Sequence, residues 1–153
     1  MTLAKHLPVA IVCTALLLAT ASCEHQPVPT VAQAKEFQCM VKNIYYEARG
    51  DTEQGMQAVA LVTLNRASKA NKTVCEVVYA PHQFSWTTGR VKPMTEHAYN
   101  TVHYVANAAM YGGLDDITGG ATYYHAKTVK PYWVKTLDKV GNIGAHIFYR
   151  TKT

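Results

Sequence analysis

A chain of 153 residues, 48% hydrophobic and 16% charged, has the material for one sizeable core and argues against both a two-domain enzyme and a disordered polymer. Fifteen lysines and arginines against ten acidic residues give a formal charge of +5. That modest excess favours an anionic partner, without choosing among nucleic acid, anionic lipid and an acidic polymer.

Lys5 and His6 precede an apolar stretch from Leu7 to Ala19 that ends in Thr20-Ala21-Ser22-Cys23, the pattern of an export signal. The stretch is short and rich in small residues, whereas a permanent span needs about 20 predominantly apolar ones. Residues 1–23 are therefore read as a signal, with Cys23 placed as in a lipoprotein processing site. An ordinary cleaved signal and a weakly apolar, releasable anchor of the kind some phage endolysins carry are the alternatives. All three carry the following domain across a membrane, so the expected location is the cell envelope, periplasmic or membrane-anchored. Residues 24–33, polar and proline-containing, read as a flexible tether, and residues 34–153 as the folded domain.

Cys13 and Cys23 belong to the signal, which leaves Cys39 and Cys75 as an even pair. In an exported domain such a pair is expected to form a disulfide, and the closed loop would contribute about 3 to 4 kcal/mol by chain entropy. Two buried free thiols are the other possibility. There is no C-x-x-C, so a redox or zinc-ribbon role finds no support.

Within the domain, Phe37, Met40, Val41, Ile44 and Ala48 recur at helical spacing and stop at Gly50. Asp51 stands three residues before Gln54 in a capping-box arrangement, and Met56, Val59, Ala60, Leu61, Val62, Leu64 and Ala67 follow as the broad apolar face of a buried second helix. A polar turn, Ser68 to Thr73, leads into the apolar segment Val74–Tyr79. Pro81 forbids its continuation and opens a loop that holds Gln83-Phe84-Ser85-Trp86. Thr95 signals the N-cap of a third helix, with Ala98, Val102, Val105, Ala106 and Ala109 on one face and Gly112-Gly113 at its end. Asp115 to Gly120 is turn chemistry. Ala121–His125 and Ala145–Tyr149 carry the β-branched and aromatic content of strands. The expected fold class is α+β, with a helical first half and a small antiparallel β-sheet in the second.

Glu47 is the candidate for chemistry. At 100° per residue it falls roughly 80° from the centre of the first helix's apolar face, on the border of core and solvent. A carboxyl group there is partly desolvated, which raises its pKa and suits it to donate a proton near neutral pH. A boundary glutamate paired with Lys42 or Arg49 would sit in the same place, so position alone does not establish catalysis.

The surrounding motifs are more specific. Asn43-Ile44-Tyr45-Tyr46-Glu47-Ala48-Arg49-Gly50, Gly55 to Ala60, Leu64-Asn65-Arg66, Gln83 to Trp86, Gly120 to His125 and Gly144 to Tyr149 closely resemble, in order, the SleB-like cell wall hydrolases, whose best-known members are spore cortex-lytic enzymes. The resemblance covers nearly the whole domain, from about Phe37 to Tyr149. It implies a lysozyme-like single catalytic domain that cuts peptidoglycan glycan strands at the MurNAc-GlcNAc bond as a lytic transglycosylase, with Glu47 as the catalytic acid. One carboxyl group suffices for that chemistry: Glu47 would protonate the leaving glycosidic oxygen, then as carboxylate take the proton of the muramic acid 6-hydroxyl as a 1,6-anhydro ring closes. The resemblance implies no cofactor. One departure is Ile117, where family members often carry proline.

A muramidase would want a second carboxylate. Asp51, Glu53, Asp115 and Asp116 are the candidates, of which Asp51 reads better as a helix cap and Asp115-Asp116 as turn residues. Phe84, Trp86, Tyr123 and Tyr124 offer flat faces to sugar rings, Gln83 and Ser85 offer hydrogen bonds to N-acetyl groups, and His125 adjoins them as a further substrate-binding candidate. Phe148 and Tyr149 read as core, and Asn65 and Arg66 as organisers of structure near Glu47. The seven histidines have poor spacing for a metal, so a zinc-dependent amidase acting on the same polymer is the weaker reading and no metal site is expected. A non-catalytic wall-binding module is the alternative from another class, and the dispersed Lys/Arg of an exported chain leave no case for nucleic acid.

Overall fold

The computed structural model describes residues 28–152, so the signal, Cys23 and the start of the tether lie outside the described residues. Helix α1 spans Val31–Ala48. Thr30 caps it by accepting from the Gln33 N–H while the Gln33 side chain accepts from the Thr30 N–H, a reciprocal box that satisfies two otherwise orphaned donors. The helix thus starts before Ala34, and residues 31–33 of the expected tether are helical. Met40, Val41, Ile44 and Ala48 form its buried stripe, and Gly50, at φ +84°, turns the chain where a side chain would be strained.

Helix α2, Glu53–Ala70, is the centre of the molecule. Its cap is Thr52, whose hydroxyl accepts from the Gly55 N–H at 3.1 Å, and not Asp51 as the sequence suggested. Asp51 is claimed by the sheet instead: its carboxylate accepts from the Ala145 N–H at 2.9 Å and pairs with His146 Nδ1 at 3.2 Å. A Cβ at Gly55 or Gly144 would collide with that carboxylate, which explains why both positions are glycine. Met56, Ala58, Val59, Ala60, Leu61 and Val62 are buried around most of the helix circumference, because α2 packs against helices on one side and the sheet on the other.

The segment Val74–Val78, left unassigned from sequence, is a single-turn helix α3 with its own capping box between Thr73 and Glu76. The Cys39–Cys75 disulfide forms and fastens α3 to α1 across 36 residues of sequence. Helix α4, Glu96–Tyr111, follows a long loop and buries Val102, Val105 and Ala106 against α1 and α2. Thr95 precedes it as expected, although its side chain makes no capping hydrogen bond.

Three antiparallel strands follow: β1 Tyr123–Ala126, β2 Leu137–Ile143 and β3 His146–Thr151, in the order β1-β3-β2. Strand β2 was not foreseen. Its sequence, Leu-Asp-Lys-Val-Gly-Asn-Ile, is interrupted by a glycine and a register shift between Lys139 and Gly141, so the alternation that marks a half-buried strand is broken. Phe148 of β3, fully buried, meets Ala58 and Val62 of α2 and Ala121. The core therefore has two compartments, one among the helices and one between α2 and the sheet, as an α+β fold requires.

Candidate active site

Glu47 occupies the last turn of α1, where the helix ends against β1. Tyr124 Oη donates to its Oε2 at 3.0 Å. Arg66, from the far end of α2, donates through Nε to the Thr122 carbonyl at 2.6 Å and lays its guanidinium 5.7 Å from the Phe84 ring centroid and 5.5 Å from that of Tyr124. This fixes a cation close to Glu47 without a direct ion pair. Asn65 works beside it, donating to Asp116 Oδ2, Thr118 Oγ1 and the Ala121 carbonyl at 3.0, 3.2 and 3.2 Å, and so shapes the loop that delivers β1.

Burial raises the Glu47 pKa, and the Tyr124 hydroxyl, the Arg66 charge and the Trp86 indole each pull it part of the way back. The carboxyl keeps its proton to higher pH than an exposed glutamate, while its polar neighbours stabilise the anion once the proton has left. The Trp86 Nε1–H is buried without a hydrogen bond of good geometry, a donor left over at the site. Burial, followed by the neighbouring Glu47 charge, pushes the Tyr124 phenol well above its ordinary range, so it serves as a donor and not as an acid.

Of the residues singled out in the sequence, Gln83, Phe84, Tyr123 and Tyr124 line a cleft of about 270 Å³ together with Glu47. Arg66 and Trp133 complete it. Arg66 had been read only as an organiser of structure, and Trp133 had been missed. The signal for Trp133 was the aromatic pair after Pro131 in a segment with no periodicity. Trp86, a sequence candidate for sugar contact, is not among the lining residues; its ring lies 4.7 Å from Tyr46 and 6.3 Å from Phe84. Ser85 does not reach the cleft: it opens the 3-10 turn Ser85–Thr87, is exposed, and its carbonyl accepts from the Thr88 hydroxyl. His125 is also absent from the lining: it is buried, its ring stacked on Tyr149 and covered by Trp133. There its Nε2 lies 3.1 Å from Tyr149 Oη and its ring meets the edge of Trp133.

None of the four candidate second carboxylates lines the cleft. Asp51 is committed to Ala145, Thr52 and His146, and Asp116 to Thr118, Gly120 and Asn65. Glu53 accepts from Gln57 on the surface, and Asp115 is exposed. Burial raises the pKa of Asp51 and of Asp116, but their hydrogen bonds outweigh it and hold both below the ordinary aspartate range. Among the described residues, no group of three or more His, Cys, Asp or Glu side chains is arranged to hold a metal ion, and no helix is long and apolar enough to cross a membrane.

A family model described as cell wall hydrolase matches residues 50–149, a span that begins just past the helix carrying Glu47. The chain belongs to that family. It is 32% identical over 127 residues to the spore cortex-lytic enzyme of Bacillus cereus, an alignment covering 79% of this chain and 46% of that protein. With the spore cortex-lytic enzyme of Halalkalibacterium halodurans the identity is again 32%, over 79% of this chain and 36% of the relative. The chain thus spans less than half the length of these curated relatives. The catalytic domain of the germination-specific lytic transglycosylase SleB from Bacillus anthracis superposes with a TM-score of 0.62 at 30% identity, covering 80% of this chain and all (100%) of that domain. The catalytic domain of Bacillus cereus SleB gives a TM-score of 0.59 at 32% identity, over 80% of this chain and 95% of its own. The fold is therefore the lysozyme-like α+β fold of those catalytic domains.

Proposed function

We propose that this chain is a peptidoglycan lytic transglycosylase that cleaves the MurNAc-GlcNAc glycosidic bond with Glu47 as both general acid and general base. The observation that carries the reading is that Glu47 is the sole carboxyl group among the cleft-lining residues and has its pKa raised by burial. A protonated Glu47 gives its proton to the glycosidic oxygen as the bond to the anomeric carbon breaks. The resulting carboxylate, stabilised by Tyr124 and Arg66, then removes the proton of the muramic acid 6-hydroxyl. That oxygen attacks the anomeric carbon and closes a 1,6-anhydro ring, so Glu47 ends the cycle protonated. Tyr123, Phe84 and Trp133 supply apolar faces for the sugars, and Gln83 supplies an amide for their N-acetyl groups. The SleB domain it resembles carries the name of a lytic transglycosylase, which supports the same assignment.

The test is digestion of purified peptidoglycan, with soluble products identified by mass spectrometry beside a Glu47→Gln control. The expected result is anhydro-muramic ends that disappear in the control. Reducing muramic ends would mean a muramidase, and freed peptides on intact glycan an amidase; either would overturn the mechanism.

The signal-like residues 1–23 support an envelope location, and Cys23 is proposed as the lipid attachment point. Metabolic labelling with a lipid precursor should mark the wild-type chain and not Cys23→Ser; a label retained in the variant would remove the anchor.

A further inference from the structure

A second and larger cavity, about 320 Å³, adjoins the Glu47 cleft. Arg66, Gln83 and Tyr123 line both, so the two form one groove with a shared wall. Beyond that wall the character changes. Lys69 near the end of α2 and Lys72 in the turn after it face the second cavity with Arg66, and its lining contains no carboxylate. Arg66 Nη1 is buried and has no hydrogen-bond partner. The Lys69 ammonium donates to Thr151 Oγ1 at 3.1 Å, which leaves two of its three donors free. The acid near Lys72 is Glu76, which is turned to the Thr73 cap and does not line the cavity.

Two lysines with no carboxylate in the cavity lining, beside an Arg66 that faces Glu47 on one side and keeps an unpartnered Nη1, form a binding surface for negative charge. The sugars of a glycan strand are neutral in their hydroxyls and N-acetyl groups and give these cations nothing to neutralise. The charge of peptidoglycan lies in the short peptide on the lactyl group of muramic acid, which carries free carboxylates. We propose that this basic annex binds the acidic stem peptide of a muramic acid held in the Glu47 cleft, so that the protein selects peptide-bearing strands over bare ones. The proposal rests on the glycan-cleaving reading above. The annex shares Arg66, Gln83 and Tyr123 with the cleft, so a substituent on a sugar held there would need to turn only past that shared wall to reach it, and cavities of this size accommodate a small ligand.

The test compares kcat/KM of the full chain on peptide-bearing glycan strands and on the same strands stripped of peptide by amidase digestion. The expected preference for peptide-bearing strands is about fivefold to tenfold, the size of two or three partly exposed charge pairs. It should shrink towards unity near 1 M salt, where screening acts over about 3 Å. Lys69→Gln combined with Lys72→Gln should abolish the preference, and Arg at both positions should restore it. Both lysines are exposed, so the fold should tolerate the changes. Equal kcat/KM on the two strands, with Glu47-dependent products from both, would overturn the annex and leave the parent mechanism standing. A preference that survives in the double Gln variant would also overturn it. Absence of Glu47-dependent cleavage of either strand would remove the parent reading itself.

Discussion

The hydroxyl of Tyr124 donates to the carboxyl of Glu47 at 3.0 Å across 77 positions of sequence, and thereby makes the acid strength of a helix residue depend on where the sheet sits. Removing the donor should weaken the anion and raise the Glu47 pKa further, since this hydrogen bond is the largest influence pulling it down. The first chemical step needs protonated Glu47, so the alkaline limb of the kcat/KM profile should move to higher pH in Tyr124→Phe. A limb that stays in place would show that Tyr124 does not tune the acid.

Glu47 also affects stability. Its folded-state pKa lies above the unfolded value, so its favourable contribution is complete below the ordinary glutamate range and is lost as pH rises through the folded value. Above the ordinary glutamate range the buried carboxyl is therefore a burden on the fold. Glu47→Gln should therefore be inactive yet melt at a higher temperature than wild type near pH 7, with the gap closing near pH 4. Thermal melts across that range decide it: an equal or lower melting temperature at neutral pH contradicts the burial argument.

Asp51 behaves in the opposite sense. Its folded pKa is depressed, so the stability it supplies is complete above the ordinary aspartate range and drains away as pH falls through the folded value. Asp51→Ala should cost about 2 to 4 kcal/mol at neutral pH, because it removes charged hydrogen bonds to Ala145 and His146 that join the turn between α1 and α2 to the β2–β3 hairpin. Urea melts between pH 2 and 5 should show a shallower acid loss in Asp51→Asn than in wild type. Parallel acid limbs would mean that another carboxylate governs this transition.

The Cys39–Cys75 bridge closes a loop of 36 residues between α1 and α3. Replacing both cysteines by serine should lower stability by about 3 to 4 kcal/mol on chain-entropy grounds. Glycan cleavage should persist well below the new melting temperature, because neither sulfur lies in the cleft. Denaturant unfolding of the double variant, with wild type under reducing and oxidising conditions, gives the number directly.

Helices α1, α2 and α4 were legible in the sequence because each buries a stripe at regular spacing, and the boundary position of Glu47 was legible because it lies at the margin of one such stripe. Asp51 was misread because Asp and Thr in sequence both suit an N-cap. Only the arrival of Ala145 and His146, 94 and 95 residues later, decides that Thr52 takes the cap and Asp51 the sheet. Strand β2 was hidden by its glycine and bulge, and Trp133 by its place in an aperiodic segment. His125 follows two cleft-lining tyrosines, and its burial against Tyr149 and Trp133 is set by residues distant in sequence. Local patterns reported the helices; long-range hydrogen bonds completed the site.

The one disulfide among the described residues lies wholly among the helices, whereas the sheet is held to the helical part by Asp51, Asn65, Arg66 and the contacts of Phe148. Heat or acid should therefore peel the hairpin away while the bridged helices stay together. Since the sheet carries Tyr124 and Tyr123 away with it, the proposed glycan cleavage would stop before the chain lost its helical circular dichroism, and a chain that had shut down this way could recover by re-docking three strands rather than by folding anew.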